Sequence, residues 1–241
     1  MTNTTAAQPF KTLILDLLRQ SHLDEEAFLQ QLNETERTAI GTWKLWSVKD
    51  HVAHKTFWHQ NLVLKLTAIL QHQKLSSSDQ DEEQFNSNTF ERNGLRPWSD
   101  IHAEAEQVYA ELIKLTEQLS EVDLTTPNRY SWISGERPLY AAFLGGCYEH
   151  DQEHLAYYYL DRHDLARAIE IRERCANRMM QADVPEWVKG GFLYNLACFY
   201  AQQNHVEKAS ALLHEAVTRF PRLQERAKSD PELIALRDQS T

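Results

Sequence analysis

The chain has 241 residues, with 25 Lys or Arg against 35 Asp or Glu, a formal net charge of −10. That length suits one large or two small domains, each with its own core. The acidic balance, with no basic stripe to offset it, argues against nucleic acid as a partner. Gly and Pro number only 7 each, while Leu, Ala, Glu and Gln recur, which points to an all-α protein. No apolar run approaches the roughly 20 residues of a membrane span, and MTNTTAAQPF lacks the basic-then-apolar pattern of a secretory signal. Cys147, Cys175 and Cys198, odd in number and widely spaced, read as reduced thiols of a cytoplasmic protein.

Residues 1–7 are expected to be a disordered tail. Phe10, Leu13, Ile14, Leu17 and Leu18 then recur at helical spacing. Leu23, Phe28, Leu29 and Leu32 continue the pattern, with a break expected near Ser21. Residues 41–46 read as a loop, and Ser47 to Asp50 fit a capping box that opens a second helix, running to about Gln73. Its apolar residues cover more than one stripe, so it should be buried on two sides. Residues 74–97 form a long polar stretch, in which Phe85 and Phe90 suggest a short helix. A third helix follows Pro97, with the narrow apolar seam of a bundle along Trp98, Ile101, Ala105, Val108, Leu112, Leu115 and Leu119. After a second loop over 120–137, Pro138 opens a fourth helix with the stripe Tyr140, Phe143, Cys147, His150, His154, Tyr157.

The tail is different. Leu196, Ala197, Tyr200, Ala209, Leu213, Ala216 and Pro221 follow the spacing of a tetratricopeptide repeat, and Leu155, Ala156, Tyr159 and Ala168 echo it upstream. The echo fails where Arg172 and Cys175 replace apolar and small residues. One repeat cannot bury its face alone, so the tail over 162–241 is expected to pack on the fourth helix of a bundle spanning 8–161.

The fourth helix carries YEHDQEHLAYYY, where His150 and His154 share one face with rings close enough to hold one ion. Two half-exposed histidines bonded to Glu149 or Glu153 would look the same in sequence, and such a pair also arises by chance among 11 histidines. A third ligand decides between the readings. DHVAHKTFWH in the second helix offers His51, His54 and His59, and bundles build metal sites from facing helices. His54, beside Ala53 and Phe57, is the candidate. Three neutral imidazoles with open positions suit a catalytic Zn²⁺, with Ni²⁺, Mn²⁺ or Fe²⁺ also admitted by the ligand type.

Three stretches, LWSVKDHVAHKTFW, FERNGLRPWSDI and LGGCYEHDQEHLAYYY, together with the helix order, resemble the DinB-like superfamily of four-helix bundles and, within it, the ClbS/DfsB-type branch. The resemblance covers about residues 8–161. It implies an up-and-down-type four-helix bundle and a metal triad of His54, His150 and His154. DinB-like members include thiol-dependent transferases using mycothiol or bacillithiol, and ClbS-type members open an electrophilic cyclopropane by hydrolysis. The implied function is metal-dependent activation of water or a low-molecular-weight thiol against an electrophilic small molecule, in detoxification or self-resistance. The alternatives are a non-catalytic ligand-sequestering or peptide-binding module, or a bundle with an unused triad.

Asp50 is read as a cap and as a possible second-sphere acceptor for His54, and Asp151 as a base near the ion or a solvated carboxylate. Cys147 reads as a buried small residue. Asn86, Asn88 and Arg92 are expected at the mouth of the site, and His51 and His59 on the surface. Trp43, Trp46 and Trp98 are expected to cap the bundle end. A homodimer is compatible with the apolar bundle faces.

Overall fold

The computed structural model describes residues 9–73 and 82–237. The expected disordered tail and the first part of the polar 74–97 stretch lie outside the described residues. Among the described residues the structure is helical, and the one β-type feature is an isolated bridge between Thr42 and Leu45. The chain divides into two compact units between His154 and Leu155, inside a helix rather than at its end.

In the first unit, α1 (Phe10–Leu29), α3 (Val48–Leu70), α5 (Trp98–Gln118) and a composite fourth rod form the bundle. The rod starts as α7 (Tyr140–Phe143), passes through a π-helical turn (Leu144–Glu149) and continues as α8 (His150–Asp161), of which the residues from Leu155 on belong to the second unit. Shorter helices α2 (Glu34–Thr38), α4 (Glu82–Asn93) and α6 (Glu121–Thr125) join the rods. Leu13, Ile14, Leu17 and Leu18 are buried on one face of α1, as their spacing predicts. No break occurs at Ser21. Its hydroxyl is buried and accepts a bond from Gln152 Nε2 at 3.2 Å, so the polar residue is satisfied within a continuous helix. Pro9 cannot cap α1, and the Glu121 carboxylate takes the orphan N–H groups of Phe10 and Lys11 at 3.1 and 2.9 Å instead.

The capping box of α3 forms as expected. Asp50 Oδ2 accepts from the Ser47 N–H at 2.9 Å, and Ser47 Oγ accepts from the Asp50 N–H at 3.3 Å. Gly41 lies against this cap, where a Cβ would sit 2.5 Å from Ser47 N and collide with the Asp50 carboxylate. Residues 49–56 of α3 are buried around the whole circumference, because α5 packs on one side and α4 on another. Lys49, buried among them, donates to the carbonyls of Gly94 and Arg96 at 2.9 and 3.2 Å. That fixes the turn from α4 into α5. Of the seam read for α5, Ile101, Val108, Leu112, Leu115 and Leu119 are buried, while Trp98 and Ala105 are half-buried. Of the run Tyr157 to Tyr159 it is Tyr158, not Tyr157, that is buried, four residues beyond His154 on the same face of α8.

The second unit contains α9 (Leu165–Gln181), α10 (Glu186–Gln202), α11 (Val206–Arg219), α12 (Leu223–Ser229) and α13 (Ile234–Arg237). α10 packs between α9 and α11. Ala197, Ala209 and Ala216 are fully buried where the helices cross. At Gly190 a Cβ would lie 2.8 Å from Phe220 Cβ and 2.9 Å from the Ala216 carbonyl, so only glycine allows this approach. Arg172, which spoils the upstream echo, is buried and donates to the Asn195 carbonyl at 3.4 Å.

Candidate metal centre

α3 sends His51 and His54 toward the fourth rod, one helical turn apart on one face. α8 returns His150 and His154 in the same way. His54 Nε2 lies 3.1 Å from His150 Nε2, and His154 Nε2 lies 3.0 Å from the same atom. One nitrogen from each of His54, His150 and His154 falls within a 4.8 Å cluster.

This arrangement fits a metal better than it fits hydrogen bonding. His150 Nε2 has one lone pair in its ring plane, yet two other ring nitrogens converge on it. Two nitrogens each about 2.0–2.1 Å from one Zn²⁺ sit about 3 Å apart, which is the spacing of these pairs. Metal binding also needs neutral imidazoles. Burial, then the charge of neighbouring groups, pushes His54 down to about 3 and drives His154 well below the ordinary histidine value, and burial pushes His150 down to about 4 against the opposing Asp151 carboxylate. All three rings are therefore uncharged at neutral pH.

His51, expected on the surface, is buried, and its Nδ1 lies 2.7 Å from His154 Nδ1. Burial, then Lys55 and His150, lowers it to about 3. With His154 Nδ1 donating and His51 Nδ1 accepting, the His154 Nε2 lone pair is free to be a ligand. The signal in sequence was the i, i+3 spacing of His51 and His54, which places both on one face. Trp46 also joins the site. Its ring is stacked on His154 with centroids 6.4 Å apart and lies 5.0 Å from His54. The expected bundle-end cap thus covers the imidazoles, whereas Trp43 is largely exposed.

His59 is likewise drawn inward, not left on the surface. Its Nε2 is 3.1 Å from Asp151 Oδ1, an ion-pair contact. Burial opposes the charge on His59, but the Asp151 carboxylate and Cys147 outweigh it and raise its pKa well above the ordinary value. Asp151 Oδ2 accepts from Ser21 Oγ at 3.4 Å. Burial works against the Asp151 charge too, and His59 and Lys55 overcome it to hold the carboxyl below its usual range. Both Asp151 oxygens thus face His59 and Ser21. Asp50 spends Oδ2 on the Ser47 cap, and its Oδ1 is buried without a hydrogen bond.

A cavity of about 350 Å³ opens beside the cluster, bordered by His54, His150, Cys147, Trp58, Asn86 and Lys65. Gly145 and Gly146 form part of its wall, and a Cβ on either would meet open space. Trp58 Nε1 donates to Asn86 Oδ1 at 3.2 Å, which ties α4 to the cavity rim. Of the three polar residues expected at the mouth, only Asn86 is there. Asn88 and Arg92 face a different cavity with Thr56, Gln60 and Glu104, because they lie on another side of α4. Cys147 is buried, and burial pushes its thiol pKa up despite the nearby His59.

A four-rod helical bundle with a convergent three-imidazole donor set defines a metal-binding bundle as the class. The family model of the DinB superfamily matches residues 17–158, more than half of the chain and all three imidazoles. The chain belongs to the DinB superfamily, whose members are metal-binding in general. No curated protein and no solved structure matches it. Among the described residues no helix is long and apolar enough to cross a membrane.

Proposed function

We propose that the chain is a metal-dependent enzyme of the ClbS/DfsB-type branch, acting as a hydrolase or thiol transferase on an electrophilic small molecule. The observation that carries this reading is the convergence of the His54, His150 and His154 nitrogens at the wall of a cavity of about 350 Å³. That volume is within the range of small-molecule sites. A divalent ion, Zn²⁺ before Ni²⁺, Mn²⁺ or Fe²⁺, would supply Lewis acidity that makes water or a low-molecular-weight thiol nucleophilic at neutral pH.

The protein's own residues do the rest. His54, His150 and His154 hold the ion as neutral ligands, and His51 orients His154. Trp46 shields the imidazoles from solvent. Trp58 and Trp132 give the cavity an apolar wall, and Asn86 and Lys65 give it polar contacts for orienting a substrate. Asp50 and Asp151 are positioning groups: Asp50 fixes the turn that carries His51 and His54, and Asp151 with His59 and Ser21 anchors the first turn of α8. The second unit is a tetratricopeptide-like extension, supported by the small residues at its helix crossings.

The test is turnover of an epoxide or an activated cyclopropane, with water or with a low-molecular-weight thiol. Turnover that disappears on chelation and in His150→Ala supports the reading. Turnover unchanged by both treatments, or none in the metal-loaded protein on either substrate with either nucleophile, rejects it and leaves a ligand-sequestering module.

A further inference from the structure

A second set of metal-ligand residues lies on the face where α1 packs against α5. His22 and Glu26 are four apart on α1, and His102 and Glu106 are four apart on α5, so each pair shares one helix face. The pairs meet crosswise. His102 Nε2 is 3.0 Å from Glu26 Oε1, and His22 Nε2 is 3.5 Å from Glu106 Oε2. One ligand atom from each of Glu26, His102 and Glu106 lies within 4.8 Å of the others. All four side chains border a small cavity of about 30 Å³, and none of the imidazoles of the first centre does. That is about the share of liquid volume taken by one water molecule, which is room for a single ion.

We propose that Glu26, His102 and Glu106, with His22 beside Glu106, form a second divalent-cation site, one that takes an ion of the Zn²⁺ or Co²⁺ type. The converging donor set is one imidazole and two carboxylates, and the imidazole favours such ions over Ca²⁺ or Mg²⁺. The two carboxylates offset the cation's charge. Lys55, which also borders the cavity, is engaged by Glu25. The geometry is held in advance: the His22 ring is stacked on Tyr109 with centroids 3.8 Å apart, and His102 lies 5.4 Å from Trp98. As simple ion pairs these half-exposed contacts contribute little. Partial exposure makes this a readily exchanging site, in contrast to the buried first centre.

The experiment is Zn²⁺ and Co²⁺ binding by equilibrium dialysis on the full chain carrying His54→Ala and His150→Ala, so that the first centre is disabled. The expected result is one equivalent still bound, with Co²⁺ giving a visible ligand-field spectrum. Adding Glu106→Gln or His102→Gln should weaken that binding at least about tenfold, a loss at the lower end of what removing a metal-site partner costs. Circular dichroism checks that these half-exposed substitutions leave the helices intact. The proposal is overturned if the doubly disabled chain binds neither ion, or if binding is unchanged by Glu106→Gln and His102→Gln. Metal lost with His54→Ala and His150→Ala but insensitive to His102→Gln would leave the first centre standing and remove only the second.

Discussion

At the scale of single residues, the site depends on which histidine does which job. The sequence singles out the three histidines whose nitrogens converge, because i, i+4 spacing and the capping box together fix which face of each helix they occupy. It places His51 and His59 on the surface because nothing in the linear pattern shows that residues 49–56 of α3 are enclosed on all sides. His51 is predicted to act through His154: His51→Ala should weaken metal affinity about 10- to 100-fold while leaving the helical content unchanged, as read by competition with a chromophoric chelator. Affinity equal to that of the wild type would show that the Nδ1 pair has no orienting role.

The same residues set a pH dependence. His51 and His54 titrate near 3 and His150 near 4 in the folded protein, against 6.5 for an ordinary histidine. Below 6.5 the unfolded chain takes up protons that these rings refuse, so the metal-free bundle loses stability as pH falls from 6.5 toward 4. His59 has the opposite sign: its pKa is raised, so its contribution is complete at low pH and is lost as pH rises through its folded value. The cluster outnumbers it, and the melting temperature of the apo-protein should fall on acidification, less steeply in His54→Gln. A flat profile between about pH 7 and pH 4 would contradict the assigned burial.

At the scale of elements, two local devices position the site. The Ser47 cap sets the start of α3, and therefore the rotation that presents His51 and His54. Ser47→Ala should cost about 1 kcal/mol by denaturant unfolding, and loss of stability too small to measure would remove the cap from the account. The π-helical turn Leu144–Glu149 does the corresponding work for His150 and leaves Gly145 and Gly146 facing the cavity. Gly146→Leu is predicted to fill that space, reducing turnover or ligand binding while the metal content stays near wild type. An unaltered Michaelis constant and rate would show that substrate does not use this cavity. The π turn was not legible in the sequence, since a one-residue register change leaves the apolar pattern almost as it was.

At the scale of the whole molecule, the rods were readable because their seams are long and periodic, as in α5, where five of the seven residues read for the seam are buried and Trp98 and Ala105 are half-buried. The short connecting helices α2 and α6 were not, because five residues carry too little periodicity to stand out from a loop. The division between units falls inside α8, where no change of composition marks it. The Asn86 contact was anticipated only from the length of its loop, and the same reasoning misplaced Asn88 and Arg92, which shows the limit of arguing from loop length without a helix face.

The central claim is that His54, His150 and His154 hold one divalent ion. The most direct measurement is elemental analysis of the purified full chain beside His54→Ala and His150→Ala, each as isolated and after reconstitution with Zn²⁺, Ni²⁺ or Mn²⁺. The account predicts tightly held metal in the wild type, reduced by one equivalent in each variant, with any remainder assigned to the α1–α5 site by its sensitivity to His102→Gln. Wild-type protein that retains no metal after reconstitution, or a metal content that neither substitution changes, would contradict it.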